Sequence, residues 1–247
     1  MTSFQRLLRL CSGAAAGFSL AAGAARAEEP REAGTEPPVL VELFLSQACS
    51  MCPPAAALFP EIAARDDVVA LSWHIDYWNM TSSPNGSWTD PYSHSAFTKR
   101  QKRYNMNIRH KSSIYTPQVI VGGGAETVGG KKEKINALIA AAPRTGATVS
   151  SSLSQGGMLF EIGESENGGN AYLVTFKART STRITSGANA GKIFEEVNVV
   201  TGIRPLGVVR KRGGEIWVEK PGDTEHCALI IQEPGQNRVI AAAYCPG

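Results

Sequence analysis

The chain of 247 residues is long enough for one large domain or two ordinary ones. Its 43% hydrophobic and 19% charged residues exclude a disordered chain, and its mixed composition excludes collagen, coiled-coil and low-complexity classes. The net charge of +3 comes from Arg6, Arg9 and Arg26, which leaves 22 of the 25 basic residues against 22 acidic ones. This balance excludes a general polyanion binder and predicts no nucleic-acid partner.

The N-terminus has the three-part pattern of a secretory signal peptide. Met1–Arg9 is basic, Leu10–Ala25 is an uncharged run, and Ala25-Arg26-Ala27 supplies the small residues of a cleavage site. We therefore predict a signal peptide over 1–27, a linker over 28–38, and an exported protein, periplasmic or secreted. The uncharged run is shorter than the roughly 20 residues of a membrane-spanning helix, so no membrane span is predicted.

Export makes disulfide bonds the expected state of structural cysteines. Four cysteines follow the signal segment, namely Cys49, Cys52, Cys227 and Cys245. Four cysteines allow three different sets of disulfide pairings. Cys49 and Cys52 form a C-x-x-C unit, which closes only on a very tight loop. Cys227 and Cys245 flank a hairpin-like segment with Pro234-Gly235 at its turn, and we predict that they form a structural disulfide.

The first half of the chain reads as alternating strands and helices. An apolar strand over Val39–Leu45, a helix over Ala55–Arg65 and a second apolar strand over Val68–Ile75 have the spacing of a βαβ unit. A third strand, Thr116–Val121, opens with Thr-Pro. Further elements are predicted as a basic helix, a return strand and a last helix: His94–Asn107, Ala125–Val128 and Lys131–Ala142.

The pattern changes after Pro143–Gly146. The remainder contains seven short β-like runs separated by turns, which is typical of a small antiparallel sandwich. We therefore predict two domains, over 39–143 and 146–247. The runs are Ala147–Leu153, Met158–Ile162, Ala171–Ala178, Ile193–Val200, Ile216–Glu219, Ala228–Gln232 and Val239–Ala243.

Several motifs together resemble an exported thioredoxin-like family of unknown function (DUF1223). The first is Val41–Pro54, which contains the C-x-x-C unit; the others are Asp76-Tyr77-Trp78, Trp88–Pro91, Tyr115–Gln118 and Val197–Val200. The resemblance covers nearly the whole chain after the signal segment. It implies an α/β thioredoxin-like domain followed by a small all-β, sandwich-like domain. The family brings no established substrate, so the chemistry has to be inferred from the site.

The resemblance implies a redox-active dithiol. At a helix start, the unpaired N–H groups and the helix dipole favour a thiolate on Cys49, which we expect to be exposed and nucleophilic. Cys52, further into the turn, would be buried and would resolve a mixed disulfide. The alternatives are an inert disulfide, a pair of buried thiols, or half of a zinc site, which no second C-x-x-C or H-x-x-x-H completes.

Five other residues are candidates for the same site. The resemblance implies a cis peptide bond before Pro117, beside the dithiol, with the backbone of Thr116 free to pair with an extended substrate segment. Glu42, seven positions before Cys49, is either a proton-transfer group for the second thiol or a strand-end residue that faces solvent. His74 and Asp76 are either ordinary polar residues at a strand end or a polar lining near the dithiol.

The predicted function is an exported thiol–disulfide oxidoreductase that acts on cysteine-containing exported proteins or a redox partner, with no cofactor and no resident metal. One alternative is a carrier of copper or another soft metal that uses Cys49 and Cys52, joined by His74, because thiolates suit Cu(I). The other is a non-enzymatic binding module. The acid-free stretch from Pro91 to Ala125 is interpreted as a solvated cationic face that could attract acidic partners toward the dithiol.

Overall fold

A computed structural model of the protein describes residues 36–144, 146–222 and 225–246, which belong to one compact unit of the chain. The predicted signal peptide, over 1–27, and all but the end of the linker lie outside the described residues. The elements follow in this order: β1 Val39–Leu45, α1 Pro53–Ala63, β2 Val68–His74, β3 Ser82–Ser83, β4 Gly86–Ser87, α2 Ser95–Tyr104, a π-helical turn Asn105–Arg109, β5 Gln118–Val121, β6 Ala125–Val128, α3 Lys132–Ala141, β7 Val149–Ser154, β8 Gly157–Ile162, β9 Gly169–Arg183, β10 Ile193–Val209, β11 Gly214–Glu219, β12 His226–Gln232 and β13 Val239–Tyr244.

One large mixed sheet organises the fold. Its eight strands lie in the order β13-β12-β9-β10-β2-β1-β5-β6. Strands β1 and β2 are parallel, as a βαβ unit requires. The pairs β1–β5, β5–β6, β9–β10, β9–β12 and β12–β13 are antiparallel. A three-stranded sheet of order β11-β8-β7 and the short β3–β4 hairpin complete the β structure of the described residues.

The predicted fold class is wrong. Strand β10 meets β2 at the pair Val199 and Ser72, so strands from both halves of the chain form the same eight-stranded sheet. The described residues are mostly β structure, and an α/β thioredoxin-like domain followed by a sandwich does not describe them. The predicted boundary over 143–146 falls in the connection between α3 and β7. The physical reason is a strand pairing between distant segments, because Val199 lies within the predicted run Ile193–Val200 but pairs with β2. Strands β9 and β10 are also longer than expected, with 15 and 17 residues.

The sheet is covered on both faces. All seven residues of β1 are buried, as expected for a central strand between two layers. Val41, Leu43 and Leu45 share a core with residues of α1 and α3, whereas Leu40 and Phe44 share the other core with residues of α2. A third core lies between β8 and the strands β9, β12 and β13. The two faces of β1 therefore present their side chains to different helices.

Candidate functional site

The two cysteines of the C-x-x-C unit lie where β1 passes into α1. A turn follows β1, in which the Cys49 N–H donates to the Ser46 carbonyl over 3.1 Å, and the Cys52 N–H donates to the Cys49 carbonyl over 3.2 Å. Cys52 is the N-cap of α1, and Pro53 and Pro54 fill its first turn. Proline suits this position because its missing N–H would have no partner inside the helix. The helix start therefore holds both sulfurs at one end of the sheet.

Both cysteines are free thiols and both are buried. Cys49 is 1% exposed and Cys52 is 0% exposed, while Met51 between them is 70% exposed. The expectation that Cys49 is exposed is wrong; the expectation that Cys52 is buried is confirmed. The reason is that the turn directs its intervening side chains outward, so that the sulfurs on either side point into the core.

The two thiols differ in acidity. The pKa of Cys49 is lowered to about 7, chiefly by a hydrogen bond from the Cys52 thiol. Burial opposes this shift, whereas Thr116 and nearby backbone N–H groups add to it. Burial, with the neighbouring Cys49 sulfur, raises the pKa of Cys52 well above its usual range. A single proton held by Cys52 thus stabilises a thiolate on Cys49.

The structure brings Thr116 and Pro117 to the dithiol. The Thr116–Pro117 peptide bond is cis, and the Thr116 carbonyl lies 3.9 Å from the Cys49 sulfur. The indole N–H of Trp78 donates to the Thr116 hydroxyl over 2.7 Å, and the Gly129 N–H donates to the Pro117 carbonyl over 3.0 Å. The segment beside Cys49 is therefore fixed from two sides.

Glu42 is not brought to the dithiol. It belongs to the face of β1 that carries Leu40 and Phe44, opposite the face that packs with the cysteines. Its carboxylate accepts a hydrogen bond of 2.6 Å from the Arg100 guanidinium and a second one from the Tyr104 hydroxyl. Glu42 is 0% exposed, so it does not face solvent. Its place on the opposite sheet face also keeps it from contacting Cys52. Its role is to pair with Arg100.

A second buried polar network lies on the dithiol side of the sheet. His74 is fully buried, with its Nδ1 2.8 Å from Asp90 and its Nε2 3.4 Å from Glu196. Burial alone would lower the pKa of His74, but the two carboxylates raise it to about 9. Gln47 connects this network to the turn, because its backbone N–H donates to Asp90 over 2.7 Å and its side chain donates to Glu196 over 2.8 Å. The Trp88 indole donates to the Gln47 side-chain oxygen.

The structure separates His74 from Asp76, so a polar lining near the dithiol does not describe both residues. His74 faces the dithiol side, in the network with Asp90 and Glu196. Asp76 instead accepts a hydrogen bond of 2.6 Å from the Thr98 hydroxyl, at the start of α2. Strand β2 ends at His74, so the alternation that would place the two residues on one face stops before Asp76.

Asn189 is a site residue that the sequence does not reveal. It lies in the loop between β9 and β10, is 1% exposed, and donates its amide hydrogens to the carbonyls of Gln47 and Cys49 over 2.9 and 2.8 Å. Asparagine in a loop ordinarily indicates a local turn. No local signal identifies a partner so distant in the chain.

Comparison with known proteins agrees with the motifs of the sequence. Residues 40–232 match the model of a family described as a protein of unknown function (DUF1223). The chain belongs to this family. Its description names no activity, so membership in DUF1223 by itself assigns no reaction. None of the curated proteins matches the chain.

Two solved structures are similar to this DUF1223 member. A crystal structure of an Agrobacterium tumefaciens protein is 23% identical, with a TM-score of 0.72 over 85% of this chain and 94% of that one. HBP35 of Porphyromonas gingivalis is 13% identical, with a TM-score of 0.58 over 86% of this chain and 76% of that one. At these identities the similarity concerns the fold alone.

The remaining cysteines form the predicted disulfide. Cys227 and Cys245 are bonded, with their Cα atoms 5.3 Å apart, and the Cys245 N–H donates to the Cys227 carbonyl over 2.8 Å. They join β12 to the chain just after β13. This bridge leaves Cys49 and Cys52 as the free thiols of the described chain.

Two negative findings concern the described residues. No helix within 36–144, 146–222 or 225–246 is long and apolar enough to cross a membrane. The same ranges contain no group of three or more His, Cys, Asp or Glu side chains placed to hold a metal ion. His74, which the copper alternative joins to the thiols, has its ring nitrogens facing Asp90 and Glu196 instead.

Proposed function

We propose that this protein is an exported thiol–disulfide oxidoreductase whose reactive groups are Cys49 and Cys52. The observation that carries the proposal is the placement of two free thiols at the start of α1, with the cis Thr116–Pro117 bond beside Cys49. With its pKa lowered to about 7, Cys49 is about half thiolate at pH 7, while Cys52, whose pKa is raised, keeps its proton. Thiol–disulfide exchange needs this division of roles, because the thiolate is the attacking species.

The reaction proceeds in two balanced steps. The Cys49 thiolate attacks one sulfur of a substrate disulfide, so that a mixed disulfide forms and the other substrate sulfur leaves as a thiolate. Cys52 then gives its proton to the first substrate thiolate and attacks the Cys49 sulfur, which releases the second substrate thiolate and forms the Cys49–Cys52 disulfide. The substrate gains two electrons and the protein loses two. The same steps in reverse oxidise a substrate dithiol.

Thr116 and Pro117 are proposed to bind the substrate segment that carries the reacting cysteine. Thr116 is half-buried, and its carbonyl lies beside the Cys49 sulfur. An extended segment that pairs with this backbone would bring its own sulfur to Cys49. Because both thiols are buried, the attack requires a local opening of the structure around them.

The test compares two single variants. Reduced protein with Cys52→Ser is expected to accumulate a mixed disulfide with insulin chains, because the resolving thiol is missing. Protein with Cys49→Ser is expected to form none and to reduce no insulin. The control is the double variant Cys227→Ser/Cys245→Ser, which keeps the reactive pair. Insulin reduction by Cys49→Ser at the wild-type rate would exclude this function.

Export is a separate part of the proposal. It is supported by the cleavage pattern at Ala25-Arg26-Ala27 and by the Cys227–Cys245 disulfide, which persists in an oxidising compartment. We expect protein recovered from the exported fraction to begin at Glu28 on N-terminal sequencing. Protein found only in the cytoplasm with Met1–Ala27 intact would contradict export.

A further inference from the structure

The outer face of α2 carries three adjacent cations. Lys99, Lys102 and Arg103 are exposed and lie three and four positions apart, so their side chains are neighbours on one side of the helix. None of the three has an ion-pair partner among the described residues. We call these three residues the basic face.

The charge of the basic face is not balanced from within its own segment. The stretch from Pro91 to Ala125 has no acidic residue. Arg100 and Arg109, in the same segment, are matched by acids from other strands, since Arg100 pairs with Glu42 and Arg109 lies 3.8 Å from Glu126. Like charges at these spacings destabilise a helix. An anionic partner would remove that cost.

Helix α2 packs on the sheet face opposite the dithiol, but its inner side contacts the segment that leads to Thr116. The buried Gln101, on the inner side of the helix, donates from its side chain to the Tyr115 carbonyl over 2.7 Å. Tyr115 directly precedes Thr116, whose carbonyl borders the Cys49 sulfur. A polypeptide whose cysteine reaches Cys49 beside Thr116 would therefore run close to α2.

We propose that the basic face docks an acidic segment of the polypeptide substrate and so selects cysteine-containing proteins that are acidic around the reacting cysteine. This inference rests on the proposed oxidoreductase function for the identity of the substrate. A polypeptide is favoured over a membrane surface because the large apolar residues of α2, Phe97 and Tyr104, are 2% and 0% exposed in the core. The helix has no apolar face left to enter a bilayer.

The experiment measures exchange with three synthetic peptides that differ only in the residues flanking one cysteine. The flanks are glutamates, serines or lysines, and each cysteine is a mixed disulfide with a chromophoric thiol. At low ionic strength, reduced wild-type protein is expected to react about tenfold faster with the glutamate peptide than with the serine peptide, and the difference is expected to shrink with added salt.

The variant Lys99→Glu/Lys102→Glu/Arg103→Glu is expected to lose this preference and to keep the wild-type rate with the serine peptide. The matched control is Arg210→Glu/Lys211→Glu/Arg212→Glu, which reverses three exposed cations just after the far end of the 17-residue strand β10. The control is expected to keep the preference. Loss of preference in both variants, or in neither, would overturn docking on α2.

Binding is measured separately, with a glutamate peptide whose cysteine is replaced by serine. Salt-sensitive binding that the α2 variant loses supports the docking surface even if no peptide undergoes exchange, in which case only the oxidoreductase function fails. No binding of this peptide overturns the proposal. The proposal would also be overturned if wild-type protein bound phosphatidylglycerol vesicles but not the peptide, and the α2 variant lost the vesicle binding. That result would assign the basic face to a lipid surface.

Discussion

The Asn189 side chain donates a hydrogen bond of 2.8 Å to the carbonyl oxygen of Cys49, across 140 residues of sequence. The Lys192 ammonium donates to the Asn189 side-chain oxygen over 2.9 Å, which leaves both amide hydrogens for the carbonyls of Gln47 and Cys49. The loop between β9 and β10 thus fixes the turn that carries the reactive thiol.

We predict that Asn189→Ala raises the pKa of Cys49 toward that of a free thiol. The loosened turn would no longer hold the N–H groups of Met51 and Cys52 toward the Cys49 sulfur, where they lower its pKa. Two buried carbonyls would also lose their donor, at a cost of about 1–3 kcal/mol in the free energy of unfolding. The pH dependence of Cys49 alkylation, read by peptide mass spectrometry, measures the shift.

The matched control for that variant is Asn198→Ala. Asn198 also donates its amide to a backbone carbonyl, that of Ala70 over 2.9 Å, but on β10 and not at the dithiol turn. Its φ of +49° adds backbone strain to an alanine there, so the control is expected to lose stability as well. An equal pKa shift of Cys49 in both variants would contradict a positioning role for Asn189.

The two thiols of reduced wild-type protein should titrate separately. We expect the alkylation rate of Cys49 to rise with a midpoint near pH 7, whereas Cys52 should stay unreactive until well above pH 9, because burial and the neighbouring sulfur raise its pKa. In urea-unfolded protein both cysteines should react with the pH dependence of free thiols, near pH 8.5. Equal rates at pH 7 in the folded protein would exclude the assigned roles.

Glu42→Gln is expected to lower the free energy of unfolding by about 3–5 kcal/mol, because Arg100 would remain buried without its carboxylate. The control Glu61→Gln breaks an exposed ion pair with Lys132 and should change the free energy of unfolding by less than about 1 kcal/mol. Urea unfolding measures both. Since Glu42 lies on the opposite sheet face, the alkylation profile of Cys49 should not move; a shifted profile with unchanged stability would restore a proton-transfer role.

His74 should make stability depend on pH. Its pKa is raised from 6.5 to about 9 in the folded state because two carboxylates outweigh its burial. Its contribution to the free energy of unfolding is therefore complete below pH 6.5 and is lost as pH rises through 9. The loss would be on the order of 3 kcal/mol. Urea unfolding between pH 6.5 and 9 measures it in a Cys49→Ser/Cys52→Ser background, since the Cys49 thiolate contributes with the opposite sign.

In that background His74→Gln should flatten the profile between pH 6.5 and 9. The exposed His226 provides the control, because His226→Gln should leave the slope intact. A slope that survives His74→Gln would assign the pH dependence to other groups.

The sequence determined the elements whose information is local. The β1–α1–β2 unit follows from two apolar runs, a turn and a proline-started helix, and its observed bounds differ from the prediction by a few residues at most. The C-x-x-C unit at the helix start and the Cys227–Cys245 disulfide depend on spacing along the chain. The place of Thr116 and Pro117 beside Cys49 came from motifs shared with the family.

Only the tertiary structure decided what depends on contacts between distant segments. The eight-stranded sheet exists because β10, which pairs with β9, also meets β2 at Val199 and Ser72. The partner of Glu42, the burial of Cys49 and the bond from Asn189 are likewise set by strands and loops far away in the chain. Apolar periodicity indicates that a residue is buried, but the same pattern fits either face of a sheet and any neighbouring strand. The partner is therefore chosen by packing in three dimensions.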